Sequence, residues 1–105
     1  MTEFIQISTT IDTEQGAQAI AAALVERRLA ACVQVSGPVR SVYRWQGVVE
    51  RADEWLCTVK TRAALFPQVE AAIRQLHSYQ CPEIIAVPIV DGAAAYFKWL
   101  GEQLE

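Results

Sequence analysis

The elements legible in the sequence follow the order strand, helix, strand, strand, helix, strand, with a further helix at the end, which predicts an α+β fold. Three observations carry this. Short β-branched or apolar runs without helical period occur at Phe4 to Thr10, Val48 to Thr61 and Glu83 to Val90. Apolar residues recur at three and four spacing between them, and Gln46-Gly47 marks a tight turn in the middle of the chain. Two right-handed split βαβ units of this kind pack as one antiparallel sheet with helices on one face, a ferredoxin-like βαββαβ sandwich with a C-terminal helix. The 105 residues match a common domain size, and no linker, repeat or low-complexity stretch interrupts them, so 1–105 is expected to be a single domain.

After the first strand, Asp12 and Thr13 offer N-cap oxygens. Ala17, Ile20, Ala21, Leu24 and Arg28 then carry a helix to about Arg28. Ala31 to Val35 is strand-like and continues as Val39 to Trp45 beyond Gly37-Pro38, where a bend or bulge is expected. The proline confines that point to a sheet edge. Val48 to Thr61 returns as the second arm of a long hairpin. Phe66, Val69, Ile73 and Leu76 share one face of a helix over Arg62 to His77, with Pro67 near its regular start. Glu83 to Val90 is nearly continuous in apolar residues, which suits a buried strand, and Ala93 to Leu104 reads as the last helix.

The hairpin is too long for a single small sheet. Arms of about 14 residues reach roughly 45 Å, against about 17–20 Å for an ordinary strand, so much of it projects. Val42, Tyr43, Trp45, Val48 and Val49 lie on the projecting part. Such an edge is an aggregation hazard unless another copy of the chain covers it, and homo-oligomerisation is the physical expectation.

Composition excludes several classes. Nine Lys and Arg against twelve Asp and Glu give a formal charge of −3, with no basic cluster of the kind nucleic acid demands. The βαββαβ order is shared with RNA-recognition modules, but neither candidate central strand carries a basic aromatic stacking motif. No apolar run is long enough to span a membrane, and the opening Met1-Thr2-Glu3 lacks the flank of a secretory leader, so a cytoplasmic location is expected. Cys32, Cys57 and Cys81 are odd in number and far apart, which reads as free thiols. Five glycines stand singly, without a phosphate loop, and no nucleophile elbow or oriented Cys-His pair is present. The chain is therefore read as a non-enzyme.

Six stretches in order carry a resemblance: Ala31-Cys32-Val33, Ser41 through Gly47, Glu54 through Thr61, His77-Ser78-Tyr79, Pro82 through Ile85 and Tyr96 through Leu100. Together they resemble the CutA family of divalent cation tolerance proteins. The resemblance implies a tight homotrimer similar in architecture to PII signalling proteins, and a role in tolerance to copper and other divalent metals. Gln34 and Ser78 stand where the family more often has Asn and Pro, and Ser8 where some relatives carry Cys.

His77, Cys81 and Glu83 form the densest group of metal-ligand types, suited to copper or another divalent ion. The other reading of His77 is an imidazolium meeting the dipole at the end of the second helix. Tyr43, Trp45, Lys60 and Tyr79, with His77 and Glu83, supply the aromatic and polar groups of an inter-subunit cleft for a small molecule. The alternative is that Tyr43 and Trp45 are interface anchors. Cys32 and Cys57 read as small buried hydrophobes, and Tyr96, Trp99 and Leu100 as packing residues. The partners expected are the chain itself and a divalent metal ion or small molecule, with a PII-like metabolite-binding scaffold as the alternative to metal tolerance.

Overall fold

The computed structural model describes residues 3–105. Met1 and Thr2, part of the segment read against a secretory leader, lie outside the described residues. The elements are β1 (Phe4–Ile11), α1 (Glu14–Glu26), β2 (Cys32–Trp45), β3 (Val48–Arg62), a 3-10 turn (Ala63–Leu65), α2 (Phe66–Leu76), β4 (Ile85–Pro88) and α3 (Ala94–Glu102). The four strands form one antiparallel sheet in the order β2-β3-β1-β4, the ferredoxin-like arrangement that the element order predicts.

Directly opposed residues of antiparallel strands share a face, and faces alternate along each strand. Ile5, Ile7, Thr9 and Ile11 of β1 therefore share a face with Thr61, Val59, Cys57 and Trp55 of β3. That face packs on Ala17, Ile20 and Leu24 of α1 and on Val69 and Ile73 of α2, which are all buried. Gln6, Ser8, Thr10, Leu56, Thr58 and Lys60 occupy the opposite, helix-free face. The alternation of the sequence thus decides which side of the sheet becomes the core.

Local chemistry sets the element ends. Thr13 caps α1, its side-chain oxygen accepting from the Gly16 N–H at 3.0 Å. Arg28, left-handed at φ 58°, ends that helix and sends its guanidinium across to the carbonyls of Glu102 (2.8 Å) and Gln103 (2.9 Å). A cation at the C-terminal end of α3 opposes the negative pole of its dipole. Gln46 (φ 52°) and Gly47 (φ 81°) form the hairpin turn, both left-handed as a type I′ turn requires.

The hairpin carries arms of 14 and 15 residues, and the molecule extends 45 Å along its long axis against 25 and 23 Å across. The expected irregularity falls at Gly37-Pro38, where β2 spends one residue more than β3 between the Ser36–Leu56 and Val39–Glu54 pairs. Gly37 has φ 152° there and lies so close to Trp55 that a Cβ would approach the indole to 2.9 Å.

Several expectations are corrected. The Glu83–Val90 run is not a buried strand in the single chain. Only Ile85–Pro88 pairs, at the sheet edge beside β1, and all four residues are exposed while Ile84 and Ile89 tuck against the core. The second helix is regular only over Phe66–Leu76, because Ala63–Leu65 tightens into a 3-10 turn ahead of Pro67, and Leu76 at its end is exposed. Cys57 is buried, but Cys32 is only half-buried, because it pairs with Lys60 and so lies on the helix-free face. On α3, Leu100 is buried and Phe97 stacks on Phe4 at 5.3 Å, whereas Tyr96 and Trp99 pair with each other at 5.5 Å and stay exposed.

Candidate functional site

The loop between α2 and β4 crosses the end of β1 and lies beside the hairpin. Two contacts pin it. Ser78, standing where the family pattern more often has proline, donates to Asp12 at 3.4 Å. The His77 ring Nε2 lies 2.7 Å from the Thr10 carbonyl, while Nδ1 accepts from the Tyr79 N–H at 3.0 Å. An Nδ1 that accepts leaves the proton on Nε2, so His77 is a neutral tautomer that donates to β1. The ring therefore does not cap α2. The helix ends because His77 itself adopts extended backbone at φ −86°, ψ 140°, which turns the imidazole toward β1.

His77 in turn positions Tyr79. The two rings are 4.7 Å apart, and the Tyr79 hydroxyl donates to Glu54 Oε2 at 2.7 Å. Burial, then the hydrogen bond to Glu54 and the charges of Glu54 and Asp12, hold the Tyr79 hydroxyl well above the usual tyrosine range. The resulting chain of contacts, Thr10–His77–Tyr79–Glu54, links β1, the loop and β3.

In front of these residues is an open cleft of about 670 Å³. The hairpin supplies Tyr43, Trp45 and Glu54, and the loop supplies Tyr79, Cys81 and Glu83. Glu54 is only 5% exposed, whereas Tyr43 and Trp45 are 41% and 43% exposed. The size falls within the ordinary range for small-molecule sites.

The sequence-derived candidates divide accordingly. Tyr43, Trp45, Tyr79, Cys81 and Glu83 line the cleft. His77 stands behind it with both ring nitrogens engaged by backbone, so a metal ion on His77 has to replace one of those bonds. Among the described residues, no three His, Cys, Asp or Glu side chains converge as a set of metal ligands. Lys60 lies six residues beyond Glu54, roughly 20 Å along β3. There its ammonium donates to Gln34 Oε1 at 2.6 Å. Sequence reasoning missed Glu54 as a site residue. The signal was available: counting back from the Gln46-Gly47 turn places Glu54 on the same hairpin face as Tyr43 and Trp45.

The profile of the CutA1 divalent ion tolerance protein family matches residues 5–103. The chain belongs to that family. The divalent-cation tolerance protein CutA of Thermus thermophilus is 46% identical over 93 residues, which cover 89% of this chain and 90% of that protein. Human protein CutA is 38% identical over 96 residues, and the chain spans only 54% of its length. The structure described as the periplasmic divalent cation tolerance protein CutA of Archaeoglobus fulgidus superposes with a TM-score of 0.94 at 36% identity, covering 97% of this chain and 99% of that one. The family resemblance and the ferredoxin-like fold inferred from the sequence agree with these matches. No helix among the described residues is long and apolar enough to cross a membrane.

Proposed function

We propose that the protein is a non-enzymatic homotrimer acting in divalent-cation tolerance, with the cleft beside the hairpin as its ligand site. The observation that carries this reading is the family match over residues 5–103 in a chain whose aromatic and acidic loop and hairpin residues converge on one cleft. Assembly is supported by exposed apolar surface at two places: Val42, Val48 and Val49 on the hairpin, and Ile85 and Val87 on the β4 edge. A free sheet edge with this composition invites pairing with another copy.

Copper or another divalent ion enters this proposal as cargo rather than as a resident cofactor. Cys81 and Glu83 on the cleft rim are its accessible ligands, with His77 recruited only by exchanging a backbone bond. Calorimetric titration with Cu(II) should show binding weakened by Cys81→Ser and less affected by His77→Ala. Equal binding by wild type and both variants would remove the metal from this site. The three free thiols suit the reducing cytoplasm, which the proposal takes as the location, and cell fractionation tests it.

The size and aromatic lining of the cleft favour a second reading, a PII-like scaffold that binds a small molecule there. A mass-spectrometric search for compounds released from the natively purified protein separates the two.

A further inference from the structure

The register of the hairpin sorts its charges. Between the bulge and the turn, Glu54 opposes Val39, Ala52 opposes Ser41, Glu50 opposes Tyr43 and Val48 opposes Trp45. Opposed residues share a face. Both hairpin glutamates therefore lie on the side of Tyr43 and Trp45, which is the side of the cleft. The intervening pairs, Arg40–Asp53, Val42–Arg51 and Arg44–Val49, lie on the other side and take with them all three arginines between the bulge and the turn.

The cleft is thus acidic and aromatic. Glu54 and Glu83 line it together with Tyr43, Trp45 and Tyr79, and among the described residues no Lys or Arg does. Glu54 is more than nine-tenths buried and forms no ion pair among the described residues. The Tyr79 hydroxyl holds only Oε2, so Oε1 has no hydrogen-bond partner among the described residues. Because Oε1 is not among the buried unpartnered atoms, it is open to the cleft, where a positively charged guest can meet it as a charge-assisted hydrogen-bond acceptor. Half-exposed indole and phenol rings beside it add the negative faces that attract an ammonium group.

We propose that the cleft binds a small organic cation, an alkylammonium compound with an apolar body, its charge facing Glu54 and its body on Tyr43 and Trp45. This rests on the reading of the cleft as a small-molecule site. An organic cation fits better than a bare metal ion, because one oriented carboxylate and two aromatic rings satisfy an ammonium group, while no three ligand side chains converge among the described residues.

The test is calorimetric titration of the full chain with benzyltrimethylammonium and with 3-phenylpropionate, an anion of similar size. The ammonium probe should bind and the anion should not. Glu54→Gln should weaken ammonium binding by about tenfold, and Trp45→Leu by about fivefold. Glu50→Gln, at an exposed position on the same face, provides an acidic-side variant without a buried change, and should weaken binding by about twofold. Binding of the anion in place of the cation, lost in Trp45→Leu, would overturn the proposal and leave the cleft reading standing. The proposal also fails, with the cleft intact, if the cation binds with unchanged affinity in both glutamate variants but is lost in Trp45→Leu. Absence of any probe binding that responds to the cleft variants would overturn the cleft reading, and the proposal with it.

Discussion

β3 is one strand with two environments. In its second half, Cys57, Val59 and Thr61 are completely buried between β1 and the helices. In its first half, Val48 to Arg51 pair only with β2 and are exposed. The covered half has α1 and α2 packed on one face and can be stabilised within one chain. The projecting half is a two-stranded ribbon, which is marginal in water by itself. It carries Tyr43, Trp45 and Glu50 instead of a core, and Glu54 sits at the boundary between the halves. One half thus holds the fold together, and the other leaves apolar and aromatic side chains exposed in the single chain.

The largest expected effect lies in the covered half. Ile7→Ala removes a fully buried side chain opposite Val59 and should lower the unfolding free energy by about 2–5 kcal/mol in denaturant titration. Val42→Ala, exposed on the ribbon of a single chain, should change it by no more than about 0.5 kcal/mol at dilutions where copies have dissociated. If the two variants cost the same under those conditions, the contrast between the halves is broken.

At the boundary, Gly37→Ala should cost about 1–3 kcal/mol in thermal or denaturant unfolding, because φ 152° is closed to alanine. The new Cβ would also press on Trp55 and the Glu54 carbonyl. An alanine variant as stable as wild type would mean that the bulge does not couple the ribbon to the core. A smaller effect, about 1 kcal/mol, is expected for Arg28→Ala, which frees the last carbonyls of α3. Arg28→Lys should recover part of it, retaining the charge without the fork, and hydrogen exchange should show α3 loosening before the ribbon does.

A further effect depends on pH. Burial pushes the Cys57 thiol from the ordinary 9.0 up to about 11. The folded state therefore keeps a proton that the unfolded chain has already released. The stability this contributes is fully present below about pH 9 and is lost as pH rises toward 11. Denaturant midpoints measured at about pH 8 and about pH 10.5 should fall less for Cys57→Ala than for wild type. An equal fall in both would show that Cys57 ionises alike in the folded and unfolded states.

Most of the covered half was legible because its signals are local. Alternation along β1, the three and four spacing of Ala17, Ile20 and Leu24, the Thr13 cap and the Gln46-Gly47 turn each specify geometry within a few residues. The β4 run misled for a physical reason. An apolar strand has the same composition whether a helix or another molecule covers it, and Ile85 and Val87 face no helix of their own chain. The site was half legible. Tyr43, Trp45, Tyr79, Cys81 and Glu83 were identifiable by residue type, but the role of His77 depends on the carbonyl of Thr10, 67 residues away, and no side-chain pattern encodes that contact. Glu54 was hidden among the charged residues of the hairpin until register assigned it to a face.

The claim that the ribbon is built for assembly is tested most directly by sedimentation equilibrium of the wild-type chain at micromolar concentration. The account predicts a species of three times the 11.6 kDa chain mass, with Val42, Val48 and Val49 protected from solvent. A chain that sediments at 11.6 kDa under those conditions would contradict it.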